Sequence, residues 1–561
     1  MRKNRKLGKR VRKHIDYRYL DDPFRDEDQD DQSYNQTFAG DPSDLPDSLE
    51  EAKRTSEWTE WDKAVKIELD QLEKTGTWIL VDKPKDAIPI SNKWVFDKKR
   101  NKSGEITRYK ARFVAKGCSQ RPGYDYLETF SPVVRMETIR AILSLVPIKK
   151  LKIQQMDIKG AYLHGILKEK VYMQQPEGYD DGTGRVCLLI KTLYGLKQSG
   201  REWNAELNKK LKEFGFTPLQ SDPCAYVRRN GEHLEIITVW VDDLLLFATS
   251  NDLMNKMKKE IQSKWTTTDL GEPEKIIGIE ITKNDDSIII SQEKYVENIL
   301  RREGMLDANP VSMPMDPNEK INSNPEGNEG SRSNAYAKLL GELQFLSNAT
   351  RPDISFAVNK LSAYTANPSP QHAGAVKRIL RYLKGTKNLG IKYSAEPQSE
   401  LQGNSNIFYG YADAAFANID DYKSTSGYVF IVGGGAITWR SKKQTTITLS
   451  STEAEYIALS EAGREACWLR SLYEELGYIQ TAPNLIKGDN DGSIAMARNP
   501  QFHKRSKHIA IRWHWVRNLV QDNQIVIESC RDPEQTADIL TKGLSRPKHQ
   551  KHVKEMGLIR I

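Results

Sequence analysis

The apolar positions of the chain change period several times, and each change marks an element. Trp58, Trp61, Ala64, Val65, Leu69 and Leu72 recur at helical spacing, and Gly76 closes the run. RYKARFVAKG (108–117) alternates instead. Lys110, Arg112 and Lys116 fall on one face of a strand, and Tyr109, Ala111, Phe113 and Ala115 on the other. VWVDDLLLF (239–247) is the apolar run of a buried strand pair, reaching back to about Glu235, broken only by Asp242 and Asp243. QHAGAVKRILRYLKG (371–385) returns to helical spacing, with Ala373, Val376, Ile379, Leu380 and Leu383 inward. Lys377, Arg381 and Lys384 form the opposite stripe.

Strand and helix patterns alternate again from about residue 405. IFYGYADAAFA (407–417) reads as a strand ending at Asp413, and SGYVFIVGGGAITW (426–439) adds strands with turn glycines. SSTEAEYIALSEAGREACWLRSLYEELG (450–477) is a helix. Ser450 and Glu453 have capping-box spacing, and Ile457, Ala458, Leu469 and Leu472 continue the apolar stripe. The polar stretches between these patterns divide the chain. Residues 1–45 hold a basic block and then an acidic one and read as a disordered tail. A flexible linker, rich in Pro, Asn, Gly and Ser, is expected at 307–334. That leaves segments 46–306, 335–400 and 401–545, with 546–561 as a C-terminal tail. No internal repeat is present.

Composition narrows the class. A chain of 561 residues is too long for one core, and a net charge of +8 leans towards a polyanionic partner. The five cysteines lack a C-x-x-C pair, which argues against a zinc site or disulfide scaffold and suits a reducing compartment. No apolar run approaches membrane-spanning length, and the basic N-terminus is not followed by the apolar core of a signal peptide. The block RKNRKLGKRVRK reads equally as a nuclear-import or nucleic-acid patch and as a solvated linker.

The acidic positions carry the chemistry. Two adjacent aspartates in an apolar hairpin repel each other and lose hydration. Asp157, at the end of a strand-like run in KIQQMDIKGAYLHG, is a third acid able to join Asp242 and Asp243 at one sheet edge. Three clustered carboxylates are stable when divalent cations neutralise them, and oxygen-only ligands favour Mg²⁺ or Mn²⁺. Two such ions activate an attacking 3′ hydroxyl and stabilise leaving pyrophosphate. The competing reading of the pair is a solvated acidic turn.

The chain resembles the Pol polyprotein of copia-type retrotransposons, in its reverse transcriptase and ribonuclease H portion. The resemblance rests on NKWVFDKKRNKSGEITRYKARFVAKG, DYLETFSPVVRMETIR, QQMDIKGAYLHG, VYMQQPEGY, LYGLKQSGREW, SDPCAYV, WVDDLLLF, LGIKY, SSTEAEYIALSEA and TADILTK, in that order, across roughly 46–545. It implies an α+β right-hand polymerase, with fingers and palm in 46–306 and thumb or connection helices in 335–400. A ribonuclease H-like mixed-sheet domain is implied in 401–545. Trp240 stands where the family's Y-V-D-D has tyrosine.

What the resemblance implies for single residues follows. Asp157, Asp242 and Asp243 would hold two metal ions for polymerisation. Asp413, Glu455, Asp489 and Asp538, the last opening a final helix, would hold two more for hydrolysis of RNA in a hybrid. Glu453 and Asp491 are neighbouring alternatives. Lys110, Arg112 and Lys116 would meet the triphosphate and template. Tyr162 would stack under the sugar and exclude the 2′ hydroxyl, and Lys197 and Gln198 would support the nascent pair. Lys377, Arg381 and Lys384 would track the nucleic-acid backbone.

Many ribonucleases H carry a histidine loop before the last acid; ESCRDPEQTAD has none, and His508 is no evident substitute. No aspartic-protease, zinc-knuckle or integrase-finger motif is present, so a Pol fragment, processed product or truncated frame is expected. The implied partners are RNA template, DNA primer, hybrid and dNTPs, with a tRNA or other primer, integrase or self association, and no membrane. The implied setting is a cytoplasmic virus-like particle or the nucleus. The alternative reading is a non-catalytic nucleic-acid-binding relic of a truncated or domesticated element.

Overall fold

The computed structural model describes residues 45–100, 105–324, 332–395, 407–418, 422–498 and 510–561. The tail expected at 1–45, residues 325–331 of the expected linker and His508 lie outside these, apart from residue 45. Among the described residues no helix is long and apolar enough to cross a membrane. The chain forms two compact units of mixed α/β structure. The first contains 45–74, 80–116 and 172–187, and the second 75–79, 117–171 and 188–561.

In the first unit the helix Trp58–Lys74 packs on the antiparallel strands Asn92–Arg100 and Ile106–Ala115. Trp61 is fully buried, edge-on to Phe96 and Tyr109 at 5.1 and 4.7 Å. The period of two in 108–117 holds: Ala111, Phe113 and Ala115 are buried, while Lys110 and Arg112 are half-buried on the other face. Lys116 falls just past the strand and is exposed.

The second unit carries three larger sheets. The first is six-stranded and antiparallel, ordered Thr267–Gly271, Lys152–Ile158, Asp243–Ala248, His233–Trp240, Ala225–Asn230, Thr217–Pro218. Two adjacent interior strands, Lys152–Ile158 and Asp243–Ala248, bring the acids to one end of the sheet rather than to an edge strand. The second is five-stranded, ordered Lys275–Ile276, Ile279–Lys283, Ser287–Ser291, Leu389–Ser394, Leu558–Arg560. The third runs Gly435–Lys443, Thr425–Val432, Tyr409–Ala415, Asn484–Gly488, Ile525–Ser529. Its first three strands are antiparallel and its last two join in parallel. The helix Ser451–Glu475 covers this sheet, burying Ile457, Ala458, Leu469 and Leu472.

Arg140, on the helix Met136–Lys149, ties three of these elements together. Its guanidinium is 1% exposed and donates to the carbonyls of Ile437 (2.6 Å), Asn348 (2.5 Å) and Ala349 (3.0 Å). The Trp439 ring stacks 4.0 Å from it.

Three expectations change. Residues 307–324 are not a loose linker, because Met315 and Ile321 are buried against the helices around them. Gln371 donates to the Lys320 carbonyl and Tyr364 to that of Ile321. Pro, Asn and Ser here make a strap whose polar groups are satisfied by its neighbours, a pattern composition cannot tell from a solvated one. Ala373 is exposed, since the inward face of Pro370–Gly385 begins with His372, Ala375 and Val376. Residues 546–561 are not a tail. They form the helix Arg546–Glu555 and a strand that pairs with Leu389–Ile391. Leu558→Ala, at a side chain 4% exposed, removes part of that closure. It is expected to lower stability by roughly 2–4 kcal/mol in a denaturant titration, whereas a free tail would show no shift.

Candidate catalytic sites

Register places the first three acids. The strands Lys152–Ile158 and Asp243–Ala248 pair so that Asp157 stands directly opposite Asp243. On its other side Asp243 pairs with Trp240, which leaves Val241 and Asp242 as a two-residue turn. Such turns need positive φ and favour Gly, Asn or Asp. Here Val241 takes φ 58°. Both turn carbonyls are held: the Trp203 indole N–H donates to that of Val241 at 2.7 Å, and the Ile158 N–H to that of Asp242 at 2.9 Å. Asp157, Asp242 and Asp243 are all half-buried. Burial, then the charges of Asp242 and Asp157, push Asp243 up to about 6, against the pull of the Gln155 amide that donates to it at 3.2 Å. Like charges facing across a ladder are destabilising without a cation between them.

The neighbouring positions divide. Tyr162 sits in the 3₁₀ turn Ala161–His164 that follows Gly160 (φ 63°), half-buried and edge-on to Tyr194 at 5.2 Å. Lys197 is exposed. Gln198 is not a free polar contact. It is fully buried, donates to the Asp125 carbonyl at 2.8 Å and accepts from Gln120 at 3.0 Å. Its amide is committed to fastening 120–125, so it has nothing left to offer a nascent pair. Lys110, Arg112 and Lys116 belong to the first unit, whereas all seven acids belong to the second. On Pro370–Gly385, Lys377 is exposed and Lys384 partly so, but Arg381 donates to the Asn309 carbonyl at 2.7 Å and so helps to hold the 307–324 strap.

The second cluster is tighter. Asp413 lies two residues before the end of the middle strand of the third sheet and is 1% exposed. Glu455 lies in the first turns of Ser451–Glu475, after a Ser450 cap that accepts from Glu453 N–H at 3.2 Å. Asp489 follows the strand Asn484–Gly488. One carboxylate oxygen from each of the three lies within 4.8 Å of the other two. Among the described residues this is the one such group. Burial and then Asp413 push both Glu455 and Asp489 up, as they do Asp538.

Asp538 does not open a helix; it sits fully buried in the 3₁₀ turn Thr536–Leu540. Neither Asp538 oxygen meets a well-directed hydrogen-bond donor, and its counter-charge is the Lys542 ammonium at 2.8 Å. Thr541 donates its hydroxyl to Asp413. The alternatives are spoken for elsewhere: Glu453 accepts from the Leu449 N–H at 2.8 Å, and Asp491 from the Ser529 hydroxyl at 2.9 Å.

Hard oxygen donors and mutual repulsion among Asp413, Glu455 and Asp489 fit divalent cations. Sequence reasoning missed Gln155, Trp203, Thr541 and Lys542. Lys542 alone had a signal, four residues after Asp538 on the same turn surface.

The family model described as "Reverse transcriptase (RNA-dependent DNA polymerase)" matches residues 75–317. The chain is 39% identical over 516 residues to the Retrovirus-related Pol polyprotein from transposon TNT 1-94 of Nicotiana tabacum, covering 90% of this chain and 38% of that one. It is 39% identical over 505 residues to that from transposon RE1 of Arabidopsis thaliana, covering 89% and 34%. It thus spans well under half the length of these relatives. Against the Putative transposon Ty5-1 protein of Saccharomyces cerevisiae it is 32% identical over 319 residues, 55% of this chain and 100% of that one. Among solved structures, the foamy viral protease-reverse transcriptase in complex with RNA/DNA hybrid aligns at TM-score 0.47 and 12% identity, over 84% of this chain and 54% of that one. An RNase H1 from Halobacterium salinarum aligns at TM-score 0.19 and 17% identity, over 24% and 93%.

Proposed function

The chain belongs to the reverse transcriptases of copia-type retrotransposons, and from that premise we propose that it copies RNA into DNA at the first acid cluster and cleaves the RNA of the resulting hybrid at the second. The observation that carries the first half is Asp157 facing Asp243 across neighbouring strands, with Asp242 in the turn that leads into the Asp243 strand. Divalent ions held by these acids, Mg²⁺ or Mn²⁺, would neutralise the charge that builds up in nucleotidyl transfer. The protein's part is geometric. Two rigid strands fix the facing carboxylates, the Gln155 amide orients Asp243, and the captured turn carbonyls fix Asp242.

In this reading the first unit supplies fingers whose Lys110, Arg112 and Lys116 bind triphosphate and template phosphates. The six-stranded sheet is the palm. The helices between 332 and 385 act as thumb or connection, with Lys377 and Lys384 on the duplex backbone. Asp413, Glu455, Asp489 and Asp538 would form the hydrolytic site, where bound divalent ions would supply the charge that activates water for phosphodiester cleavage. No histidine stands before Asp538 in the ESCRDPEQTAD loop, so proton handling there falls to water and the acids.

The test is primer extension by the purified protein on poly(rA)/oligo(dT) with Mg²⁺ or Mn²⁺, together with hydrolysis of a labelled RNA/DNA hybrid. A folded protein inactive in both is the non-catalytic relic.

The sugar-facing role of Tyr162 has its own check. Tyr162→Val opens space for a 2′ hydroxyl, so ribonucleotide use relative to deoxynucleotide is expected to rise by roughly tenfold or more. An unchanged ratio in single-nucleotide incorporation assigns Tyr162 to the packing around Tyr194.

A further inference from the structure

A valine is a poor choice for the turn that carries Asp242 and leads into Asp243. Positive φ puts its branched Cβ close to its own backbone, a conformation that persists only when surroundings impose it. The neighbour that imposes it is identifiable. Trp203 is 2% exposed, and its indole N–H donates to the Val241 carbonyl at 2.7 Å. The ring is itself gripped. Trp265 meets it edge-on at 5.7 Å and His164 lies 5.9 Å away. His164 closes the same 3₁₀ turn that carries Tyr162. Space is tight on that side too, since a Cβ on Gly165 would come within 3.0 Å of the Trp203 backbone nitrogen. One indole therefore touches the turn bearing Asp242 and the turn bearing Tyr162.

We propose that Trp203 is a positioning residue for nucleotidyl transfer: its N–H holds the Val241–Asp242 turn in its strained shape, and so sets where Asp242 and Asp243 present their oxygens. It touches neither substrate nor reacting atoms. The inference rests on the polymerase reading of the first cluster.

Trp203→Phe keeps an aromatic ring and loses the donor. The rate of single-nucleotide incorporation (kcat) is expected to fall roughly 10- to 100-fold, the scale of one lost buried hydrogen bond expressed in a barrier, with KM for dNTP little changed. Val241→Gly is the discriminating partner, because glycine adopts positive φ without needing to be held. In a Val241→Gly background the same Trp203→Phe change should cost several-fold less. Leu207→Ala, one turn along the same helix and fully buried, is the control for simple destabilisation. It should lower Tm by at least as much as Trp203→Phe and leave kcat of the folded protein near wild type.

The proposal is overturned if Trp203→Phe loses the same factor in both backgrounds, or if its loss tracks Tm as Leu207→Ala does. Should Trp203→Phe not fold, Val241→Ala serves: it keeps the need for positive φ with the indole in place, and a kcat below one-tenth of wild type would show that Trp203 does not hold the turn. A wild-type protein that extends no primer is a failure of the polymerase reading instead, and is seen before any variant is made.

Discussion

Asp243→Asn is expected to abolish DNA synthesis while the proposed hydrolysis of RNA in a hybrid continues. The two acid clusters lie on different sheets with separate ligand sets, so a lost oxygen in one leaves the other its charge and geometry. The amide keeps the size of the carboxylate but cannot balance a cation, and synthesis should fall by orders of magnitude. The same variant tests the electrostatics. Asp243 is raised to about 6 by burial and by Asp242 and Asp157. A carboxyl raised in the folded state binds protons more tightly there than in the unfolded chain, so its stability contribution falls as pH rises from about 4 through about 6. Metal-free Asp243→Asn should therefore melt a few degrees above wild type at pH 7, and no higher than wild type at pH 4. Primer extension, hybrid cleavage and a melting series at the two pH values decide the matter. Equal loss of both activities in a folded protein would rule out two independent sites.

Asp413→Asn is the mirror experiment, with cleavage of hybrid RNA lost by orders of magnitude and polymerisation kept. Asp413 is the hub of the second cluster. It stands among the charges that raise Glu455, Asp489 and Asp538, and it accepts the Thr541 hydroxyl. Removing its charge relieves three buried carboxyls at once. Each is raised, so in metal-free protein each costs stability above the ordinary carboxylate range and none below it. The variant should thus equal or exceed wild type in Tm at neutral pH and lose that advantage in acid. A site built only to end a strand would leave cleavage near normal. A large drop in Tm would show that the Asp413 carboxylate is a structural acceptor instead.

How much was legible follows a physical line. Asp242 and Asp243 announce themselves because a charged pair inside an apolar run demands a reason, and Asp157 because a strand end is where a neighbour's acid can meet it. Asp413, Glu455 and Asp489 follow from local strand and helix ends, which is why they converge. Gln198 was misjudged because polarity says nothing about whether a side chain's partners are water or protein; here Gln120 and Asp125 take both ends. Leu558–Arg560 was missed because its partner strand lies about 170 residues earlier, and pairing at that distance leaves no local period. The backbone of Val241 was unreadable for a simpler reason: a residue that dislikes its conformation cannot advertise it.

Arg140 bears on what can be exchanged between such molecules. Its acceptors come from chain positions 208 to 297 residues downstream, the nearest on the helix Arg332–Ala349 and the farthest on the third sheet. Take those segments away and the guanidinium keeps only the Glu137 carboxylate, 3.5 Å off on its own helix, and gains water in place of the carbonyls. A recombinant that grafts after residue 324 a foreign second domain covering Arg140 without such carbonyls buries an under-satisfied guanidinium, a loss of roughly 3–5 kcal/mol. The two proposed functions are distinct in chemistry yet not modular in inheritance: a compatible graft must bring carbonyls that arrive at Arg140 from the right direction, or replace the arginine in the same step.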